Sequence, residues 1–331
     1  MNHGKILARA WTLMWHSRAL WFFGFLFALA GGTQANSSFN WSQGASRGSR
    51  TGPNGSNPFR NFTFPAVDWN AVIWIVVAVL LVLLLLAVVF TILRYLSETA
   101  LMAGANEIET TGAPLSLRRG FRLGWSRQAG RLFLADLVIH LPLAVAALIL
   151  LAAGALPLLL WLSHQVPLGV IGTLITIALE MLVIFALLAV ALLLSVIMPY
   201  LRRRVVLDQQ APLAALRQSV RLVRASLLDT GLMWLLLAGI RILWSIVMFP
   251  VGLVLLVVAV LVGGIPAGAA YLLSHSLVWT VAVGLPLFLL VLVPSAAFVA
   301  GLFETYVSTS WTLTYREALG KFGDALVARP A

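Results

Sequence analysis

Residues 69–95 read WNAVIWIVVAVLLVLLLLAVVFTILRY, and after Trp69 no charge interrupts them before Arg94. An α-helix rises about 1.5 Å per residue and a hydrocarbon core is about 30 Å thick, so this run is long enough to cross a bilayer. Further runs of the same kind follow at Leu132–Leu162, Leu168–Leu201, Leu227–Val262 and Leu277–Phe303. A shorter apolar core, Ala19–Ala30, precedes them; Arg18 snorkels to the interface there, so the Trp-bearing helix upstream helps complete a span.

The composition agrees. Of 331 residues, 61% are hydrophobic and 10% charged, against roughly 45–50% and about 25% in soluble domains. This excludes a soluble enzyme with one apolar tail. There is no cysteine, hence no disulfide and no thiolate chemistry. The net charge is +11, and all basic residues except Lys5 and Lys321 are Arg, a bias typical of a GC-rich bacterial genome. Those charges flank membrane spans, so they are read as topology and headgroup contacts rather than nucleic-acid binding.

The fold expected is all-α: a polytopic bundle of about six transmembrane helices in three hairpins, each preceded by an amphipathic interfacial helix. A polar loop at 32–68 lies outside the membrane on the far face. Basic amphipathic segments at 96–131 and 202–226, and a polar tail at 304–331, lie in the cytoplasm. Pro142 and Pro157 fall in the third span, Pro250 kinks the fifth, and a Gly/Pro turn at 263–276 leads to the sixth. With the N-terminus inside, 18 of the 22 Lys and Arg residues are cytoplasmic, placing both termini there in a bacterial inner membrane. Ala28-Leu29-Ala30 resembles a signal-peptidase site, but the basic stretch before it is long for a signal peptide and matches two later segments. The segment is therefore read as retained.

Those segments form an internal pattern, Leu-x-x-small-bulky-x-Leu. It begins at Leu7, Leu117 and Leu216, each time just before a pair of spans. In the third, Leu216, Val220, Val223 and Leu227 form one stripe and Arg217, Arg221 and Arg224 its neighbour. In the second, Leu117, Phe121 and Gly124 share a face beside Arg118 and Arg122. Such helices lie in the headgroup plane. They either pack beneath the bundle with arginines that fix topology, or bind anionic lipid or a partner subunit.

The stretch Val206-Leu207-Asp208 followed by Pro212–Arg224, and the opening Ile6–Trp11 with Trp15–Gly24, resemble bacterial membrane proteins similar to the membrane domain of glycerophosphodiester phosphodiesterases. The resemblance implies a helical membrane bundle. The phosphodiesterase chemistry of such proteins resides in a separate soluble domain, for which no segment here is long or polar enough.

Ionisable groups inside a membrane are functional candidates. Arg241 and Glu180 lie deep in the fifth and fourth spans, and an Arg241–Glu180 pair is expected, with Asp136 as a second partner. Asp136 and His140, at i and i+4, can touch; two groups fall short of a metal site. Glu98 and Glu304 are read as interfacial. No phosphate loop, dinucleotide fingerprint, zinc-protease helix or nucleophile elbow is present. No catalytic residue, metal or cofactor is therefore expected. The leading expectation is a non-enzymatic scaffold or accessory protein bound to anionic lipid or a partner subunit through its basic helices. The alternative is a small transporter of a lipid-like substrate using Arg241, Glu180 and Asp136.

Overall fold

Tyr95 and Phe303 close apolar runs, yet the helices that carry them continue. The computed structural model describes residues 1–31, 69–163 and 165–327, and every element among them is helical. In chain order these are α1 (His3–His16), α2 (Arg18–Leu29), α3 (Trp69–Thr111), α4 (Leu117–Gly124), α5 (Arg127–Gly154), a 3-10 helix (Leu156–Ser163), α6 (Val166–Val206), α7 (Pro212–Ala225), α8 (Leu227–Ser274) and α9 (Leu277–Val327). The loop expected at 32–68 lies outside the described residues.

Five helical stretches, led by α3, α5, α6, α8 and α9, are long and apolar enough to cross a membrane. The chain is a helical membrane protein. In the most apolar part of each stretch no more than 11% of the residues are buried within the protein. The core sits instead at one end, where α3, α6 and α9 outrun their apolar segments. Ala100, Leu101, Met102, Leu201, Val205 and Tyr315 are all but fully buried there, against Ile6, Ala10 and Leu13 of α1 and Leu222 of α7. We call this packed end the base.

The first expected span is realised differently. Ser17 adopts an extended conformation (φ −123°, ψ 92°) and separates α1 from α2. The 12 residues of α2 reach about 18 Å, short of a 30 Å core. One face of α2, made of Ala19, Leu20, Phe23, Gly24 and Phe27, is buried, and it packs into the base against α3 and α9. Gly24 faces Gly301 so closely that a Cβ on Gly24 would lie 2.4 Å from the Gly301 carbonyl oxygen, and one on Gly301 would lie 2.6 Å from the Gly24 backbone. Thr305 fastens the crossing, its hydroxyl 2.8 Å from the Gly301 carbonyl and 3.3 Å from that of Leu20.

The segment after Glu304, expected as a polar tail, is the axis of the base. Thr305, Thr309, Ser310, Trp311, Thr312, Thr314 and Tyr315 are buried. Composition misleads here because each Ser and Thr hydroxyl is satisfied within its own helix. Thr309, Ser310, Thr312 and Thr314 each donate to the carbonyl four residues back at 2.8 Å, so no hydroxyl needs water.

Two boundaries also move. The turn expected at 263–276 is helical to Ser274, and the chain reverses at His275 (φ 48°). Pro250 and Pro266 both lie inside α8, which membrane helices tolerate when neighbours satisfy the freed carbonyls. The third run ends at Gly154, and Pro157 falls in the 3-10 helix, which packs back on α6.

Candidate charged cavity and basic rim

Each long helix carries charge where its apolar run meets the base, and packing brings these charges together. Arg202 of α6 lies between two carboxylates. Its Nη1 donates to Glu98 Oε1 of α3 at 2.6 Å, and its Nη2 to Asp136 Oδ2 of α5 at 2.9 Å. Tyr95 donates to the same Asp136 oxygen at 3.1 Å. Arg241 of α8 reaches Glu304 of α9 at 3.4 Å and lies over the Phe303 ring, which stacks on Trp244.

The expected Arg241–Glu180 pair does not form. Glu180 lies beside Gly154, near the other end of α5. It precedes Arg202 by 22 residues on α6, about 33 Å along the helix, so depth alone separates it from the cluster. Asp136 is a partner of Arg202, not of Arg241. His140 does not touch the Asp136 carboxylate; its Nδ1 lies 2.9 Å from the Asp136 backbone oxygen. Glu98 and Glu304, read from the sequence as interfacial, are 7% and 8% exposed. Arg202 and Arg203, read as topology charges, belong to the cluster. Their signal in the sequence is position: Glu98, Asp136, Arg202, Arg203 and Glu304 all lie at or near an end of an apolar run, whereas Arg241 lies within one.

Arg203 is 4% exposed. Its guanidinium donates to Pro199 O and Ser308 O, each at 2.7 Å, and to Thr312 Oγ1 at 3.2 Å. Glu98, His140, Arg202, Arg203, Arg241 and Glu304 line one partly open cavity of about 470 Å³, whose other walls are mostly apolar residues from α2, α3, α5, α6, α8 and α9. A second hollow of about 270 Å³ runs between α8 and α9 along Trp244, Met248, Val251, Leu255, Leu292 and Val299. Arg241 and Glu304 belong to both. Among the described residues no three His, Asp or Glu side chains gather as a metal site would require.

The basic residues singled out on the short helices form a rim around the base. On α4 the close face is made of glycines: a Cβ on Gly120 would lie 2.2 Å from the Phe23 ring, and one on Gly124 2.6 Å from the Leu96 carbonyl. This turns Leu117, Phe121 and Trp125 outward, 49%, 40% and 76% exposed, with Arg118 and Arg122 exposed beside them. The expected grouping of Gly124 with Leu117 and Phe121 is thus split, small residues inward and large ones outward. On α7 the buried stripe is Ala215, Ser219, Leu222 and Val223, rotated from the expected Leu216–Leu227 stripe, and the helix ends at Ser226, before Leu227. Arg217, Arg221 and Arg224 remain exposed as expected. None of these five arginines forms an ion pair among the described residues.

No curated protein and no solved structure matches the chain. Nothing in the comparisons links it to the phosphodiesterase membrane domains that its Leu/Arg pattern resembles. A family model does match residues 11–314, which take in α2 to α8, the cluster, the rim and most of the base, and the chain therefore belongs to DUF7544, a family of unknown function.

Proposed function

We propose that the protein is a non-enzymatic scaffold or accessory protein of a bacterial inner membrane, seated on anionic headgroups through the basic rim of its base. The carrying observation is the outward face of α4, where Leu117, Phe121 and Trp125 stand exposed directly beside Arg118 and Arg122. That pairing suits a helix lying at the boundary between acyl chains and phosphates. Trp11 and Trp15 of α1 are exposed as well, 5.7 Å apart, and Arg217, Arg221 and Arg224 extend the basic surface along α7. The base then faces the cytoplasm, because it and its flanks carry the excess of Lys and Arg.

Each basic residue near an anionic surface is worth about 1 kcal/mol. Changing Arg217, Arg221 and Arg224 together to Gln is expected to weaken retention of phosphatidylglycerol by the detergent-purified protein roughly hundredfold at low salt, with less effect at high salt. Native mass spectrometry of bound lipid reads this directly. All three side chains are exposed, so the fold is expected to survive. Unchanged lipid retention by a folded triple variant would sink the reading. A subunit that co-purifies with the parent protein and is lost from the variant would replace lipid by a protein partner.

A further inference from the structure

Three arginines and two glutamates line the charged cavity, and with Asp136 behind Arg202 the charges balance in number but not in pairing. Arg202 is taken by Glu98 and Asp136, and Arg241 by Glu304. Arg203 has no carboxylate in ion-pair contact among the described residues; its bonds go to two backbone carbonyls and one hydroxyl. A buried cation whose hydrogen bonds all go to neutral groups is costly and invites an anion. Glu98 presents the opposite defect. Its Oε1 accepts from Arg202, while its buried Oε2 has no hydrogen-bond partner. The last torsion of a glutamate is soft, so a small rotation offers that oxygen to the cavity.

One cavity thus lacks an anion at one wall and an N–H donor at another. It also runs into an apolar groove, sharing Arg241 and Glu304 with it. From Arg241 to Leu255 the groove follows 14 residues of α8, about 21 Å, which exceeds the roughly 15 Å depth of one leaflet's hydrocarbon.

We propose that this cavity and groove bind one zwitterionic amphiphile: a phosphate toward Arg203, a protonated primary amine toward Glu98, and an acyl chain between α8 and α9. A purely anionic head would offer Glu98 at most a neutral hydroxyl and would bring the phosphate charge beside Glu98 and Glu304 with no cation to offset it. A quaternary amine would fill the space but has no N–H to give. The site is internal and stands apart from the headgroup contacts of the rim.

The test uses the full-length protein in a non-ionic detergent, with lysophosphatidylethanolamine as probe and binding followed by titration calorimetry. The probe is expected to bind roughly tenfold more tightly than lysophosphatidylcholine or lysophosphatidylglycerol, the scale of one charged hydrogen bond. Glu98→Gln is expected to remove that preference, and Arg203→Gln to weaken every phosphate-bearing probe. Both changes disturb buried groups, so Gly252→Leu supplies an independent arm. Gly252 lines the groove, and a Cβ there meets nothing within 4 Å. This variant keeps every charge and is expected to weaken lysolipid binding about tenfold by occupying the chain's place. Equal affinity for the three head groups, or unchanged binding by a folded Gly252→Leu protein, overturns the proposal. So does free phosphoethanolamine binding as tightly as the lysolipid, which would make this a site for a soluble head alone. None of these failures touches the rim, whose triple variant is read separately.

Discussion

Gly301→Val is expected to lower the protein's stability in detergent by about 3 kcal/mol, at the upper end of the usual overpacking range. The added Cβ meets backbone atoms of Gly24 and Phe25 at 2.6 Å, and backbone cannot swing aside as a side-chain tip can. Relief requires α2 to move off α9. That withdraws Leu20 and Phe23, each fully buried, and breaks the contact of the Thr305 hydroxyl with Leu20. Gly24→Val is expected to behave alike, since its Cβ would lie 2.1 Å from Thr305 Oγ1. Gly264→Ala on α8 is the control, because a Cβ there meets nothing within 4 Å. Thermal unfolding followed by tryptophan fluorescence separates the two outcomes. A Gly301→Val protein as stable as Gly264→Ala would show that the two backbones do not touch.

Arg202→Met is the second large effect, with an expected cost of about 3–5 kcal/mol. The arginine side chain is 19% exposed, and the side chains of its partners Glu98 and Asp136 are 9% and 7% exposed. Removing it alone leaves two carboxylates buried without a cation. The same logic predicts rescue. A triple variant, Arg202→Met with Glu98→Gln and Asp136→Asn, removes all three charges and is expected to recover most of the loss, because neutralising a whole buried cluster is often near neutral. If the triple variant is no more stable than the single one, the loss comes from packing rather than from stranded charge.

The sequence made the membrane class legible because apolar length is a property of each run taken alone. Arg217, Arg221 and Arg224 were legible as an exposed basic stripe for a similar reason: a helix of one and a half dozen residues or fewer declares its faces by spacing. The cluster was not legible. Glu98, Arg202 and Glu304 each sit at the edge of an apolar run, where a charge ordinarily meets water or headgroups. Nothing within one helix says that these edges lie at the same level, or that Arg241 reaches it from within its own run. Arg241 and Glu180 were matched on depth counted from opposite ends, and that count fails when helices extend past the bilayer by different amounts. The segment from Thr305 to Tyr315 was misjudged for another reason. Hydroxyl-rich sequence is read as solvated, whereas hydroxyls bonded back to their own helix can be buried at little cost. The shortness of α2 is not legible either, because nothing in the composition shows that Ser17 breaks the helix that would lengthen it.

The axis of the base is made after every other described helix, and this orders the protein's biogenesis. Leu20 and Thr305 meet across 285 residues. At about 5–20 residues per second, translation separates their appearance by roughly 15–60 s. During that interval α1 and α2 have been synthesised but lack the surface they finally pack on. The membrane helices can insert singly as they emerge, whereas the base can close only once residues 301–318 have left the ribosome. A ribosome-bound chain stalled before Gly301 is expected to be cleaved by trypsin after Arg9, and the released chain to resist cleavage there. Equal protection in both would mean that the amino-terminal helices find a partner earlier. Until residues 301–318 emerge, the nascent protein is thus a set of inserted helices with an unclosed end, which is the stage at which a chaperone or quality-control protease would meet it.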